Sequence, residues 1–133
     1  MTVTIDKIAW IHIVEGKILA ARSHGKDTYY FPGGKREPGE TDNETLIREI
    51  EEELTVRLVP DSIRPFGTYE AAAHGKEEGV LVQMTCLTAD YSGQLAPAAE
   101  IAELAWLSYK DREHVSAVSM IIFDQLHEMK LLS

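Results

Sequence analysis

A chain of 133 residues with 44% hydrophobic content can bury one core but is too short for two, so a single domain over residues 1–133 is expected. Its formal net charge of −9 disfavours a long polyanion, which excludes nucleic acid as a bulk partner. One cysteine, Cys86, excludes an intramolecular disulfide and reads as a small core residue, while the chain shows neither a basic, apolar leader nor the ~18–20 apolar residues of a membrane span. The expectation is a cytoplasmic protein with no membrane partner.

In chain order, residues 5–14 are apolar and β-branched, Glu15-Gly16 can turn, and residues 17–22 return, which predicts a hairpin. A short strand over residues 28–31 precedes Phe31-Pro32-Gly33-Gly34-Lys35, where adjacent glycines let backbone approach a ligand or metal closely. Thr41-Asp42-Asn43-Glu44 has the form of a capping box, placing a helix over residues 42–54. Strands are predicted over residues 56–59, then over 63–73 and 80–88 as antiparallel partners around the polar tip 75–79, and over 103–107. Residues 116–129 read as a terminal helix with Val118, Ile121, Ile122 and Phe123 among its apolar positions. Two helices and several strands without a regular βαβ rhythm argue for an α+β layered domain.

The first helix carries the chemistry. At about 100° per residue, Leu46, Ile47, Ile50 and Leu54 form a core-facing stripe, and Glu49, Glu52 and Glu53 fall on an adjoining arc. Glu44 and Glu51 point elsewhere. Like charges at this spacing repel by a few tenths of a kcal/mol per pair. A hard divalent ion that prefers oxygen ligands, Mg²⁺ or Mn²⁺, would relieve that repulsion and bridge the carboxylates to a phosphate. An isolated acidic string is more often a solvated face, but the glycine loop ahead of this one favours the ion.

Gly34, five residues, Glu40, seven residues, then Arg48-Glu49-Ile50-x-Glu52-Glu53 resembles the Nudix box, here residues 34–56. Every charged position is filled. Thr55 stands where the family usually has Gly, a residue suited to closing the helix in a left-handed conformation. The resemblance implies a Nudix-type α/β/α sandwich, with a mixed, curved β-sheet between helices. It also implies Mg²⁺-dependent hydrolysis of a phosphoanhydride in a nucleoside diphosphate linked to another moiety, with Mn²⁺ a possible substitute. Carried over by position, Glu49, Glu52 and Glu53 match the metal-binding glutamates, and Gly33 matches the residue whose carbonyl completes the shell. Glu40 and Arg48, with Gly34, match the structural support of the box. The general base would be Glu49 or Glu100, the latter resembling the glutamate outside the box in MutT-like members. Glu77, Glu78 and Glu103 read as solvated acids.

Arg22 and Lys35 are candidates for phosphate contact. Tyr30, Tyr29 or Trp106 could stack a base, although strand aromatics are more often core, and the five histidines show no ligand spacing. Ala71 and Ala72 stand where ADP-ribose hydrolases often carry Pro, and Ala73-His74 where dinucleoside polyphosphate hydrolases favour Tyr. The length, the FPGGK lead-in and the late Glu/Trp pattern are similar to small MutT-like (d)NTP pyrophosphohydrolases, although Ser119 falls near a position where MutT carries Asn. A hydrolase of nucleotide sugars or another nucleoside diphosphate derivative, or a silent nucleotide-binding module, is the alternative. The partner is a small nucleotide, and the chain could be a monomer or a homodimer. Metal would lower the pKa of the clustered carboxylates, so activity should rise towards alkaline pH.

Overall fold

The apolar residues of the first arm alternate onto both faces of a strand, which therefore needs cover on both sides. A computed structural model describes residues 3–72 and 79–133 and supplies that cover. Strand β1 (Val3–Trp10) is interior to a four-stranded mixed sheet. It pairs antiparallel with the short β4 (Gly33–Gly34) and parallel with β7 (Val80–Thr88), whose other side pairs antiparallel with β6 (Arg64–Ala72). A second sheet has the order β2 (Ile13–Val14), β3 (Lys17–Ser23), β9 (Ile101–Leu107), and β5 (Arg57–Leu58) pairs with β8 (Tyr91–Ser92).

Two helices close the layers, giving an α+β fold with mixed sheet between helices. Helix α1 (Asp42–Leu54) buries Leu46, Ile50 and Leu54 against Ile8, Trp10 and Leu19, and each such aliphatic burial is worth about 1.5–3 kcal/mol. Helix α2 (Ala117–Glu128) buries Val118, Ile122, Phe123 and Leu126 against Ala9, Ile18, Ala20 and Cys86. Neighbouring residues of β1 thus serve opposite cores, Ile8 and Trp10 on one side and Ala9 on the other. No helix among the described residues is long and apolar enough to cross a membrane.

Several predicted elements change in the folded chain. Residues 5–14 are two strands, because the chain switches sheets at Ile11-His12: the Ile11 amide donates to Leu87 O at 2.9 Å, while His12 O accepts from Leu19 N at 2.9 Å. Only Ile13-Val14 forms the hairpin with β3. Residues 28–31 make no strand, only isolated bridges from Tyr30 to Ala21 and from Tyr29 to Val115. Ile121 is exposed on α2, where Leu126 takes the core position. The antiparallel pairing of β6 with β7 is as expected, whereas Ala73 and tip residues 75–78, with Glu77 and Glu78, lie outside the described residues.

Candidate active site

Local signals on either side of the glycines hold the loop against α1. The capping box forms as a reciprocal pair: Thr41 Oγ1 accepts from Glu44 N at 3.2 Å and Glu44 Oε1 accepts from Thr41 N at 2.9 Å. Thr55, the residue directly after Leu54, closes the helix with φ +62°, so the left-handed turn expected of Gly is made here by a β-branched residue. Gly33 and Gly34 sit in β4 beside Ile8 and Ala9. A Cβ on Gly33, at φ +148°, would lie 2.0 Å from Ile8 O. A Cβ on Gly34 would lie 2.5 Å from the Glu49 carboxyl carbon. The glycines therefore bring backbone against both β1 and the helix carboxylates.

Arg48 organises the loop. Its guanidinium grips Glu40 with two hydrogen bonds, Nε to Oε2 at 2.7 Å and Nη2 to Oε1 at 2.9 Å, and also donates to Lys35 O at 3.1 Å. A fourth contact runs from Nη1 to Glu49 Oε1 at 2.7 Å. The Arg48 guanidinium, helped by the Glu37 amide, holds Glu40 down at about 2. This pairing joins the predicted support residues into one network.

Glu53 is the unusual carboxylate. It is 3% exposed, and among the described residues it accepts one hydrogen bond, from Gly33 N at 3.1 Å. Burial pushes its pKa up to about 8, the Gly33 amide counteracts this, and the Glu49 and Glu100 carboxylates push it up further. Glu49 is raised as well, by burial first, with Arg48 opposing. Glu49, Glu53 and Glu100 line one open groove with Tyr30, Lys35 and Arg48. Glu52 does not line it: its side chain is 57% exposed and lies 3.8 Å from Arg48 Nη1.

Arg22 also stands apart, donating to Glu103 Oε1 at 2.9 Å and to Lys26 O at 2.9 Å, with Tyr29 donating to the same carboxylate. Glu103 is thus half of an ion pair and is held below the usual carboxylate range, first by Tyr29 and then by Arg22. Tyr30 reaches the groove, its hydroxyl hydrogen-bonded to Ser23. Trp106 and Ser119 line neither the groove nor the cleft beside it, and Ser119 is buried, its hydroxyl 2.8 Å from that of Ser116.

One groove residue escaped the sequence reading. Lys7, on β1, is partly buried and lines both the carboxylate groove and an adjoining apolar cleft of about 360 Å³ between β1, the 26–34 loop and the start of α2. Burial lowers its pKa, the neighbouring Lys35 lowers it further, and Glu53 opposes both. The signal was a lone Lys among alternating Ile5, Ala9 and Ile11, on the strand face that otherwise faces apolar surroundings.

Among the described residues no three carboxylate, imidazole or thiol groups stand as a ready coordination shell. The ligand chemistry nonetheless suits a hard cation: beside the basic Lys7, Lys26, Lys35, Arg36 and Arg48, the groove's anionic groups are all carboxylates, and one of them, Glu53, is buried with no cationic partner within ion-pair distance among the described residues.

A family model described as the NUDIX domain matches residues 7–126. An RNA pyrophosphohydrolase of Yersinia enterocolitica is 28% identical over 111 residues, covering 71% of this chain and 63% of that protein. One of Erwinia tasmaniensis has the same identity and coverage, so the chain spans about 63% of the length of these curated relatives. Among solved structures, the Escherichia coli ORF135 protein superposes with a TM-score of 0.75 at 23% identity, covering 97% of this chain and 92% of that one. A MutT protein from Methanosarcina mazei gives 0.73 at 20% identity, covering 97% and 96%. At these identities the structural likeness establishes the fold alone.

Proposed function

The chain belongs to the Nudix family, and from that premise we propose that it is a divalent-metal-dependent pyrophosphohydrolase of small nucleotides, most of all a (d)NTP pyrophosphohydrolase of MutT type acting with Mg²⁺. The observation that carries this reading is Glu53, a carboxylate buried to 3% exposure beside Glu49 and Glu100 in a groove that also holds Lys35. Burying a carboxylate with a single amide donor costs stability unless a cation offsets it.

In this proposal Glu49 and Glu53, with the Gly33 carbonyl, would hold the metal, and Glu52, 57% exposed beside Arg48, would join them only by turning its side chain into the groove. When bound it would neutralise phosphate charge and lower the pKa of a water. The protein residues supply the rest. Lys35 and Tyr30 hold the polyphosphate and sugar at the mouth of the groove. Arg48 fixes Glu49 through its 2.7 Å contact, and Glu40 holds Arg48. Glu100 takes the proton of the attacking water, because one oxygen of Glu49 is committed to Arg48 and Glu53 is engaged by the Gly33 amide. We assign Arg22 a lesser part than the sequence suggested, since Glu103 and Lys26 O already occupy its guanidinium.

The relatives named RNA pyrophosphohydrolases raise a second substrate, the 5′-triphosphate end of an RNA, which presents the same anhydride. The net charge of −9 favours the mononucleotide. The test is a screen with Mg²⁺ and with Mn²⁺ over (d)NTPs, nucleotide sugars, ADP-ribose, dinucleoside polyphosphates and a short 5′-triphosphorylated RNA, with products identified. Release of pyrophosphate from one or more nucleoside triphosphates is expected. A panel inert with both metals overturns the enzyme reading, and turnover of the RNA alone overturns the mononucleotide assignment.

A further inference from the structure

We infer that Lys7 anchors the first phosphate of a nucleoside 5′-phosphate whose base and sugar occupy the apolar cleft, and so sets the register between that cleft and the carboxylate groove. This rests on the pyrophosphohydrolase reading for the identity of the groove, while its own support is the shape and chemistry of the junction.

Three observations converge on Lys7. Odd-numbered residues of β1 share a face, and Ala9 on that face is buried in the core beneath α2, so Lys7 carries an ammonium to the place where the apolar cleft meets the carboxylate groove. It makes no ion pair and no side-chain hydrogen bond among the described residues, although a partly buried cation is stabilised by a partner. It also lies on the boundary of the two cavities, together with Lys26, Tyr30, Gly33 and Gly34. Of the two cations in that set, Lys26 is exposed on a loop, whereas Lys7 is fixed by pairing of β1 on both sides.

The cleft says what precedes the charge. Ile5, Phe31, Val82, Met84 and Val118 give it apolar walls, with the Ser116 hydroxyl and Asp27 as polar features. Its volume of about 360 Å³ lies within the ~300–1,000 Å³ of small-molecule sites. A ligand filling both cavities is therefore planar or apolar at one end and anionic from Lys7 onward. A nucleoside polyphosphate has that order, and its terminal phosphates would then extend towards Lys35 and the carboxylates.

The experiment compares the wild-type protein with Lys7→Met and Lys7→Arg, without metal and with EDTA, using ligand-observed NMR on the common nucleoside 5′-monophosphates and their parent nucleosides. Lys7→Met should weaken the best-bound monophosphate at least about tenfold and leave its nucleoside within about twofold, with Lys7→Arg recovering much of the loss. Its melting temperature should stay level or rise, because an unpaired cation leaves the interior. Equal weakening of both ligands, unchanged monophosphate affinity, or no binding of either ligand by the wild-type protein overturns the inference. Turnover measured in parallel separates the two readings. Hydrolysis without Lys7-dependent binding refutes the anchor alone, and Lys7-dependent binding without hydrolysis of any nucleotide refutes the enzyme alone.

Discussion

Replacing Glu53 with Gln should stabilise the metal-free protein while disabling it. The carboxylate titrates near 8 in the folded chain instead of at its ordinary 4.5, because burial disfavours the charged form. The folded state therefore holds a proton that the unfolded state releases. The stability linked to that proton is fully present below pH 4.5 and is lost as pH rises towards about 8. At 1.36 kcal/mol per pH unit, the loss reaches at most about 5 kcal/mol. Gln has the same shape, its amide oxygen can accept from Gly33 N, and it carries no charge to bury. Urea denaturation with EDTA should therefore find the two proteins nearly equal at pH 4.5 and Glu53→Gln more stable by about 2–5 kcal/mol at pH 8.5. Manganese at a hundred times its dissociation constant should raise the wild type by about 2.7 kcal/mol at pH 8.5 and leave the variant unmoved. Hydrolysis by the variant should fall at least about a hundredfold. A stability gap that stays flat or narrows as pH rises would refute the reasoning, since burial of the ionised group would then not be the dominant effect.

Three further substitutions probe the surrounding frame. The Glu40 carboxyl is depressed to about 2 by Arg48, so its contribution is present above pH 4.5 and is lost as pH falls towards 2; the urea midpoint of Glu40→Gln should lie below the wild type at pH 6 and converge with it by pH 2. Gly34→Ala should keep the fold but cut manganese affinity at least about tenfold by calorimetry, because its Cβ would meet the Glu49 carboxyl carbon at 2.5 Å. Thr55→Gly should raise stability by about 1 kcal/mol in thermal melts, since a left-handed conformation costs an L-residue roughly 1–2 kcal/mol and the hydrogen bond from Thr55 Oγ1 to Gln94 O is exposed.

What was legible in the sequence was local. The first helix keeps its predicted bounds because the capping box at Thr41 and Glu44 is written within four neighbouring residues. The burial of Glu53 also follows from the wheel, where it lies about 20° from Leu46, while Glu52 lies about 120° away and points outward. Partner choice was not legible. Nothing in residues 5–14 marks the sheet switch at Ile11-His12, because it depends on Leu87 and Leu19 arriving from different parts of the chain. Lys7 is illegible for the same reason: its meaning comes from a cleft wall built by Val82, Met84 and Val118. Arg22 reads as free in the sequence because Glu103, which engages it, is distant along the chain.

The interior position of β1 has a consequence for synthesis of the chain. Its parallel partner sets Val80 opposite Val3, so at about 5–20 residues per second the first strand waits roughly 4–15 s for the second to leave the ribosome. During that interval Ile8, Ala9 and Trp10 have none of the β7 pairing that later helps enclose them, a window in which a nascent-chain chaperone would find its target.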